Sequence, residues 1–569
     1  MITRKILSLP ASSDSVPFRV DLIVTASSTA PASDALVETL GVAAESRAEG
    51  TEQDAVKAAP TDLSREVEVK FVTDAEGFAA ALASRLFHQP GAASPARKLT
   101  TIYFDTAESD LQQRRIALRI RRVGRKAPVM TLKWIPAASE GPFSRGEIEI
   151  PSLGLLPDLS LFGGEMGELV RRLVGDKPLE ARYETRVSRI VRLIPRGAAQ
   201  IEAAFDEGQI VAGERTRPLR EVELELKSGE ARDLYEFAAT VAESLPLRLD
   251  IVSKAERAYR LATGLLSSPV KAKPAALPPE LIFDEAIARI ILGNIDHFVA
   301  NWASLRESDD PEAIHQMRVA LRRLRAALAM FKRVIPCPEF DLFRAEARDL
   351  ASTMGKARDC DALRELVEEG PRAHLGDKKN FTPLMAALEA RRIEGYREVR
   401  ALLESPLATG FVMRVSAFVE RRGWRNSVSG PQLASLTEPV AVFASEALER
   451  LYKRVLRRGK NLADLPDEAR HLARIALKNL RYGGEFFASC YAETRDSSSF
   501  IRGASLLQGL LGAHNDAASA EHFLSLPHDN DAARAAGVVT GWFARGSLIA
   551  DEKLAKSWKK FKQARPFWR

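Results

Sequence analysis

Charged and apolar residues alternate along several short segments that begin after residue 60. In "REVEVKF", residues 65–71, two glutamates and a lysine share one face, and valine and phenylalanine share the other. The same alternation recurs in "TTIYFDT", "IALRIRR", "MTLKWI", "GEIEI", "SRIVRLI", "IEAAFDEGQIV" and "REVELELK". Side chains of a strand point to opposite faces in turn, so the pattern predicts a domain dominated by antiparallel strands.

The remaining pattern divides the chain into four parts. Helical segments lie between the strands, notably "DAEGFAAALASRLF" with Asp74 as N-cap and "ARDLYEFAATVAESL", so residues 63–265 form an α+β domain. Residues 266–280 are rich in proline and small residues and are typical of a linker, for which we expect limited tethering between two separate cores. Residues 281–569 have helical periodicity, and we expect 1–62, rich in Ala, Ser and Thr, to be a disordered or low-complexity extension.

Composition limits the possible settings. The 569 residues lack an apolar run of about 18, so we expect a soluble protein without a transmembrane helix. The three cysteines are far apart in sequence and odd in number, which fits neither a disulfide framework nor a Cys-based metal site. We therefore expect the protein to reside in a reducing cytoplasm. The chain has 83 basic and 76 acidic residues, so its net charge is small and any anionic partner must bind at local clusters. We expect neither nucleic acid nor membrane as a partner.

The polar faces of these strands consist mostly of full charges. "LRIRR" places Arg119 and Arg121 on one face, while "REVELELK" aligns three glutamates and a lysine. A sheet with one solvated face is one explanation, and a closed barrel with a wet interior is the other. Inside a barrel, crowded carboxylates require cations such as Mg²⁺ or Mn²⁺, and Arg and Lys can bind phosphate oxygens.

"EVEVK" resembles the ExExK signature of the CYTH domain, also called the triphosphate tunnel metalloenzyme family, and the resemblance continues in order over residues 63–265. It implies a tunnel formed by a closed, eight-stranded antiparallel barrel with flanking helices, a divalent metal and a triphosphate-bearing substrate. The implied metal ligands are Glu66, Glu68, Glu147 (or Glu149), Asp206, Glu223 and Glu225. The implied phosphate-binding residues are Lys70, Arg119, Arg121, Lys133, Arg186 and Lys254.

The resemblance also implies the chemistry. Glu66, Glu68, Lys70 and Lys254 are the expected catalytic residues, and metal-dependent hydrolysis of inorganic triphosphate is the leading reaction. Family relatives also cyclise ATP, hydrolyse thiamine triphosphate or process RNA 5′ ends, and these activities are alternatives. A protein that binds polyphosphate without catalysis is a further alternative, although such a protein has little need for both glutamate pairs.

The helical half contains a repeat. "HQMRVALRRLRAALAMF", residues 315–331, and "HLARIALKNLRYGGEFF", residues 471–487, align without gaps, and "GKARD" or "GAHND" follows each about 40 residues after the histidine. In both segments the leading histidine and three basic residues fall within about a quarter of a helical turn. A solvated basic face would explain one such stripe, but the matching of two favours a shared function.

These segments resemble the CHAD domain over residues 281–569, which implies two four-helix bundles related by a pseudo-twofold and a basic surface for inorganic polyphosphate. We expect the histidines to donate to phosphate rather than bind metal, with packing as the alternative role. The terminal "SWKKFKQARPFWR" should pack its aromatic residues while its lysines face water. The expected polyphosphate-binding residues are His315, Arg318, Arg322, Arg325, Arg358, His471, Arg474, Lys478 and Arg481.

Overall fold

The structure, a computed structural model, describes residues 64–88, 95–136, 141–376, 379–491, 496–524 and 530–569. Side chains of 64–65, 463, 513–524 and 546–552 lie outside this description. The extension predicted over residues 1–62 also lies outside the described residues.

Eight antiparallel strands close into a barrel, as predicted. In the order β5-β4-β3-β2-β6-β7-β8-β1, each strand pairs with the next, and β1 also pairs with β5. The short β9 continues the edge of β1 where β5 ends. The strands are β1 Ser64–Val72, β2 Arg97–Asp105, β3 Ile116–Val123, β4 Val129–Trp134, β5 Ser144–Pro151, β6 Glu180–Arg196, β7 Ala199–Ala212, β8 Arg215–Ser228 and β9 Arg248–Leu249.

Five helices accompany the strands in this part of the described chain: α1 Ala75–Ala83, α2 Asp110–Gln113, α3 Gly164–Val174, α4 Ala231–Ser244 and α5 Lys254–Thr263. Asp74 caps α1 by accepting from the Gly77 amide at 2.8 Å, which confirms the predicted N-cap. Helix α5 begins after the Ser253 cap and packs Ala255 and Ala258 against inward-facing residues of the barrel. It therefore closes part of one end of the barrel and carries Lys254 inside.

The predicted helical domain is also confirmed. One set of helices, α6, α8, α9 and α11, packs in sequence, and α14, α15, α16 and α17 pack in the same order. The sets meet through α8–α15 and α11–α17, and contact between equivalent helices is what a twofold relation produces. The helices are α6 Phe283–Ala300, α7 Trp302–Glu307, α8 Pro311–Phe331, α9 Pro338–Val367, α10 Ala373–Leu375, α11 Thr382–Glu404, α12 Pro406–Glu420, α13 Pro431–Ser435, α14 Val440–Arg458, α15 Asp467–Phe487, α16 Ser497–Leu524 and α17 Asn530–Gln563.

The junction between the domains differs from the prediction of limited tethering. One continuous cluster of buried apolar side chains runs from the barrel through α4 and linker residue Leu277 into the helical domain. Helix α4 packs between the barrel and α12. The linker is fastened as well, because the Val270 amide donates to Asn301 Oδ1 at 2.8 Å and the Leu277 amide to Ser489 Oγ at 3.0 Å. The prediction was wrong because proline content says nothing about long-range packing of α4.

Two further predictions concern apolar residues, one in the terminal segment and one along the whole chain. Trp558, Phe561 and Trp568 are buried while Lys559 and Lys560 are exposed, so the terminal segment packs as expected. Among the described residues, no single helix has both the length and the apolar character of a membrane span, although α11 and α12 together, with a bend of 51° between them, reach that length and composition.

Candidate active site in the barrel

A cavity of about 780 Å³ runs through the barrel, and its walls carry the charged faces of the strands. Alternation with period two points these side chains inward while the apolar faces meet the surrounding helices. Asp206 also points inward but is fully buried beside the cavity. The predicted residues that line the cavity are Glu66, Glu68, Lys70, Arg119, Arg121, Lys133, Glu147, Glu223, Glu225 and Lys254.

Glu68 on β1 is a tunnel carboxylate without an ion pair among the described residues, whereas Glu225 on β8 pairs with Lys227 at 2.5 Å. Glu68 stands directly opposite Glu225 in the sheet register. Burial, followed by the nearby Glu223 and Glu66 carboxylates, raises the pKa of Glu68 to about 7. Burial likewise raises the pKa of Glu225. The Glu68 carboxylate makes no side-chain hydrogen bond or ion pair within the described residues, so its oxygens are available to a hard cation such as Mg²⁺ or Mn²⁺.

Neighbouring cations of the tunnel are held by other carboxylates. Lys133 Nζ lies 2.6 Å from Glu66 and 3.3 Å from Glu147, and Arg119 lies 3.1 Å from Glu147 and 3.6 Å from Glu149. Both alternatives for the mid-tunnel acid therefore face the cavity. Glu147 is the more enclosed of the two, with 14% of its side chain exposed against 53% for Glu149.

Like Glu68, Arg121 is a charged tunnel residue that lacks an ion-pair partner among the described residues. Its Nε donates to Thr101 Oγ1 at 3.2 Å, and no carboxylate of the described chain forms an ion pair with it. Burial and the neighbouring Arg119 and Arg189 guanidinium groups lower the pKa of Arg121 to about 10. An anion bound in the tunnel would relieve this repulsion.

A second acidic cluster lies deeper, where α5 enters the barrel. Asp206, Glu221 and Glu223 each place one carboxylate oxygen within 4.8 Å of the others, a spacing that could hold a metal ion. Lys254 occupies the space between them, with Nζ 3.0 Å from Asp206 and 2.6 Å from Glu223 and also paired with Glu221. Burial opposes the Lys254 charge, but these three carboxylates raise its pKa above the ordinary value. A metal ion at this cluster requires Lys254 to move.

Lys70 sits at the same end of the tunnel. Its Nζ donates to the Val252 carbonyl, and its own carbonyl accepts from the Asp250 amide at 2.9 Å. Burial and the nearby Arg257 lower the pKa of Lys70. Arg257 is in turn paired with Glu221. Strand β1 is thereby joined to the segment that leads into α5.

The structure corrects the assignment of Arg186. Arg186 projects from the outer face of β6, with 58% of its side chain exposed, and pairs with Glu184 at 2.9 Å. Arg189 takes the inward position because it is an odd number of residues away. Its guanidinium lies 2.7 Å from both Asp206 oxygens and 2.7 Å from Glu223.

Sequence reasoning also left Glu221 out of the site. The alternation in "REVELELK" was sufficient to find it, because Glu221 shares a face with Glu223 and Glu225. Arg257 was missed as well, and its only signal is its position three residues after Lys254 at the start of a helix. In the pairing of β7 with β8, Asp206 stands opposite Glu221.

The two basic stripes of the helical domain share one surface. His315 and His471 are each the fifth residue of a 21-residue helix, α8 and α15, and these helices pack together. Burial and four surrounding arginines lower the pKa of Lys478 to about 8. Those arginines, two from each helix, are Arg322, Arg474, Arg325 and Arg481.

The remaining members of the predicted surface differ in their surroundings. Burial, followed by the Arg358 charge, lowers the pKa of His315 to about 4, whereas His471 is exposed. Arg318 donates to the Ala351 carbonyl at 2.5 Å, in a space that Gly355 leaves open. Arg481 binds Gln508 at 2.8 Å and also pairs with Glu485. Neither histidine belongs to the potential metal-ligand group found in the described residues.

Comparisons with known proteins agree with this geometry. Residues 64–259 match the family model of the CYTH domain, and residues 289–525 match that of the CHAD domain. Two uncharacterized proteins of Mycobacterium tuberculosis are 26% identical over 458 residues, which cover 76% of this chain and 82% of each relative.

Two further relatives cover single regions of the chain. The inorganic triphosphatase of Haemophilus influenzae is 30% identical over 164 residues, 29% of this chain and 46% of that protein. The crystal structure of the CHAD domain from the plant Ricinus communis is 27% identical, covers 52% of this chain and 98% of that domain, and superposes with a TM-score of 0.45.

Proposed function

Because the chain carries a CYTH domain followed by a CHAD domain, we propose that it is a metal-dependent inorganic triphosphatase. Hydrolysis takes place in the barrel tunnel, and the surface formed by α8 and α15 binds inorganic polyphosphate. Inorganic triphosphate is thus the substrate, and Mg²⁺ or Mn²⁺ is the cofactor.

The proposal depends mainly on one observation, the presence in one tunnel of two unpaired charges of opposite sign. Glu68 has a carboxylate without a cation, and Arg121 has a guanidinium without a carboxylate within the described residues. A divalent cation alone would satisfy the first, and an anion alone would satisfy the second. A metal complex of a condensed phosphate supplies both charges together.

The donor chemistry of the tunnel fits the metal. Glu66, Glu68 and Glu225 offer carboxylate oxygens on adjacent strands, which suits Mg²⁺ or Mn²⁺ better than softer metals. When bound, the metal supplies charge neutralisation and lowers the pKa of a nearby water. Arg121 and Arg189 bind phosphate oxygens, orient the chain and stabilise the charge that spreads over the transferred phosphoryl group. The attacking group is water, and no side-chain nucleophile is required.

The relatives support the same reaction class. The Haemophilus protein, an inorganic triphosphatase, aligns with the part of the chain that contains the barrel. For the helical domain, the lowered pKa of Lys478 supports anion binding, because a polyanion would relieve repulsion among the cations around it.

A substrate panel tests the proposal. Tripolyphosphate, ATP, thiamine triphosphate, a triphosphate-ended RNA and long-chain polyphosphate are each incubated with Mg²⁺ or Mn²⁺, and phosphate and cyclic AMP are both quantified. We expect phosphate release from tripolyphosphate to dominate and to stop when the metal is chelated. Cyclic AMP as the main product would replace the proposal with a cyclase, and tight polyphosphate binding without turnover would replace it with a binding protein.

A further inference from the structure

The tunnel cavity does not end at the barrel. At the end where α5 enters, it continues into a space between the barrel, linker residues 266–276 and helix α6. We call this space the antechamber and define it by four basic residues in its walls: Arg115 and Arg145 from the barrel, and Lys271 and Lys273 from the linker. The helical domain therefore contributes a wall to the route into the tunnel.

The antechamber differs from the tunnel in its charge balance. Among the described residues, none of its four cations forms an ion pair with a carboxylate. The only side-chain hydrogen bond found for Arg145 in that part of the chain goes to the Ser144 carbonyl, at 3.0 Å. Asp296 of α6 lies within electrostatic reach of Arg145, Lys273 and Arg115 but pairs with none of them.

In the tunnel, by contrast, Arg119, Lys133, Arg189 and Lys254 all have carboxylate partners. The charges of these cations are already balanced by carboxylates. Metal must neutralise those carboxylates before the tunnel can accept a polyanion. The antechamber has excess positive charge of its own, so it attracts an anion without metal.

The linker presents its two lysines from a fixed backbone. On one side, the Val270 carbonyl accepts from Asn301 Nδ2 at 3.0 Å and from His297 Nε2 at 3.1 Å. On the other, Ser489 Oγ donates to the Ala275 carbonyl at 2.8 Å. Lys271 and Lys273 lie between these anchors and are exposed to the cavity. A fixed backbone lowers the entropic cost of gathering the ammonium groups around a ligand.

We propose that the antechamber binds the phosphates of a linear chain that extend beyond the tunnel, so that the enzyme also hydrolyses polyphosphates longer than triphosphate. This inference rests on the proposed function of the tunnel. Water attacks the terminal phosphorus held in the tunnel, and the adjoining phosphoanhydride P–O bond breaks. The products are one orthophosphate and a chain shorter by one phosphate, and the negative charge of the leaving chain is held by the antechamber cations.

The test compares tripolyphosphate with linear hexaphosphate at saturating Mg²⁺. The variant reverses the antechamber charge with Lys271→Glu and Lys273→Glu together. Its matched control, Lys98→Glu with Lys126→Glu, makes the same change at exposed positions at the far end of the barrel, outside the cavity. We expect the antechamber variant to lower kcat/KM for hexaphosphate about tenfold or more, mainly through KM, and that for tripolyphosphate less than about twofold. The control should leave both values unchanged.

The inference is overturned if both substrates lose activity equally, if neither is affected, or if the native protein hydrolyses tripolyphosphate but not hexaphosphate. Failure of the proposed function has a different signature, namely no phosphate from tripolyphosphate with either metal. In that case, a binding measurement tests the inference. Hexaphosphate affinity is measured in EDTA in a protein that also carries Arg325→Gln and Lys478→Gln, which weaken binding at the helical surface. The affinity should still be lower in the antechamber variant. An unchanged affinity overturns the inference.

Discussion

Glu68→Gln should remove activity and at the same time stabilise the metal-free protein. Raising the pKa of Glu68 from 4.5 to about 7 corresponds to about 3 kcal/mol against the ionised form, since each tenfold change in proton affinity is worth about 1.4 kcal/mol. The tunnel admits water, so we expect a gain of about 1–3 kcal/mol for the neutral amide, seen as a rise of a few degrees in Tm.

The size of this effect, but not its sign, changes with pH in a defined window. Because the folded-state pKa is raised, the carboxyl stabilises the fold when protonated, and this contribution is lost as pH rises through about 7. The difference between the variant and the native protein should therefore be absent below 4.5, grow between 4.5 and 7, and level off above that value.

The assay combines thermal unfolding in EDTA at about pH 8 with phosphate release from tripolyphosphate. Added Mg²⁺ should raise the Tm of the native protein but not that of Glu68→Gln. Glu147→Gln is the matched control, because Glu147 is already paired with Arg119 and Lys133 and its neutralisation should not raise Tm. If Glu68→Gln lowers Tm in EDTA, or retains full activity, the account of the tunnel charges is wrong.

Three further outcomes follow from the site and the junction. Arg189→Gln should reduce kcat/KM for tripolyphosphate about a hundredfold, whereas Arg186→Gln should leave it unchanged, as steady-state phosphate release will show. Burial lowers the pKa of His297 to about 4, so stability should fall as pH drops below 6.5, and His297→Gln should flatten the Tm profile; an unchanged slope contradicts this. Arg325→Gln with Lys478→Gln should weaken polyphosphate binding about tenfold and reduce its salt dependence without affecting tripolyphosphate hydrolysis, measured by titration calorimetry at two salt concentrations.

The barrel was predicted from the strict alternation together with the resemblance to the CYTH domain, because the alternation alone also fits an open sheet with one solvated face. On β1 and β8, every second residue is charged over several positions, so the charged face of each strand was clear from the sequence, and Glu68 and Glu225 do stand opposite each other. On β6 both faces carry arginines, as with Arg186 and Arg189, and only pairing with β7 shows which face is inward.

The unpaired charges could not be predicted in the same way. Whether Lys254 fills the space between Asp206 and Glu223, or leaves it open, depends on where α5 enters the barrel. The fused junction likewise depends on α4 meeting α12 across a long stretch of sequence. Local patterns carry no information on such contacts, which are set by tertiary packing.

The packing of helix α4 limits how the two domains can be separated in evolution. It packs between the barrel and α12, and its buried residues extend along its whole length from Ala231 to Ala242. If the gene were split at the linker, the separate barrel and helical domains would each expose apolar surface, and such surfaces promote aggregation. A relative with the barrel alone must therefore carry polar residues along the corresponding helix or bury it against another subunit, and sequences of such relatives can be checked for either solution.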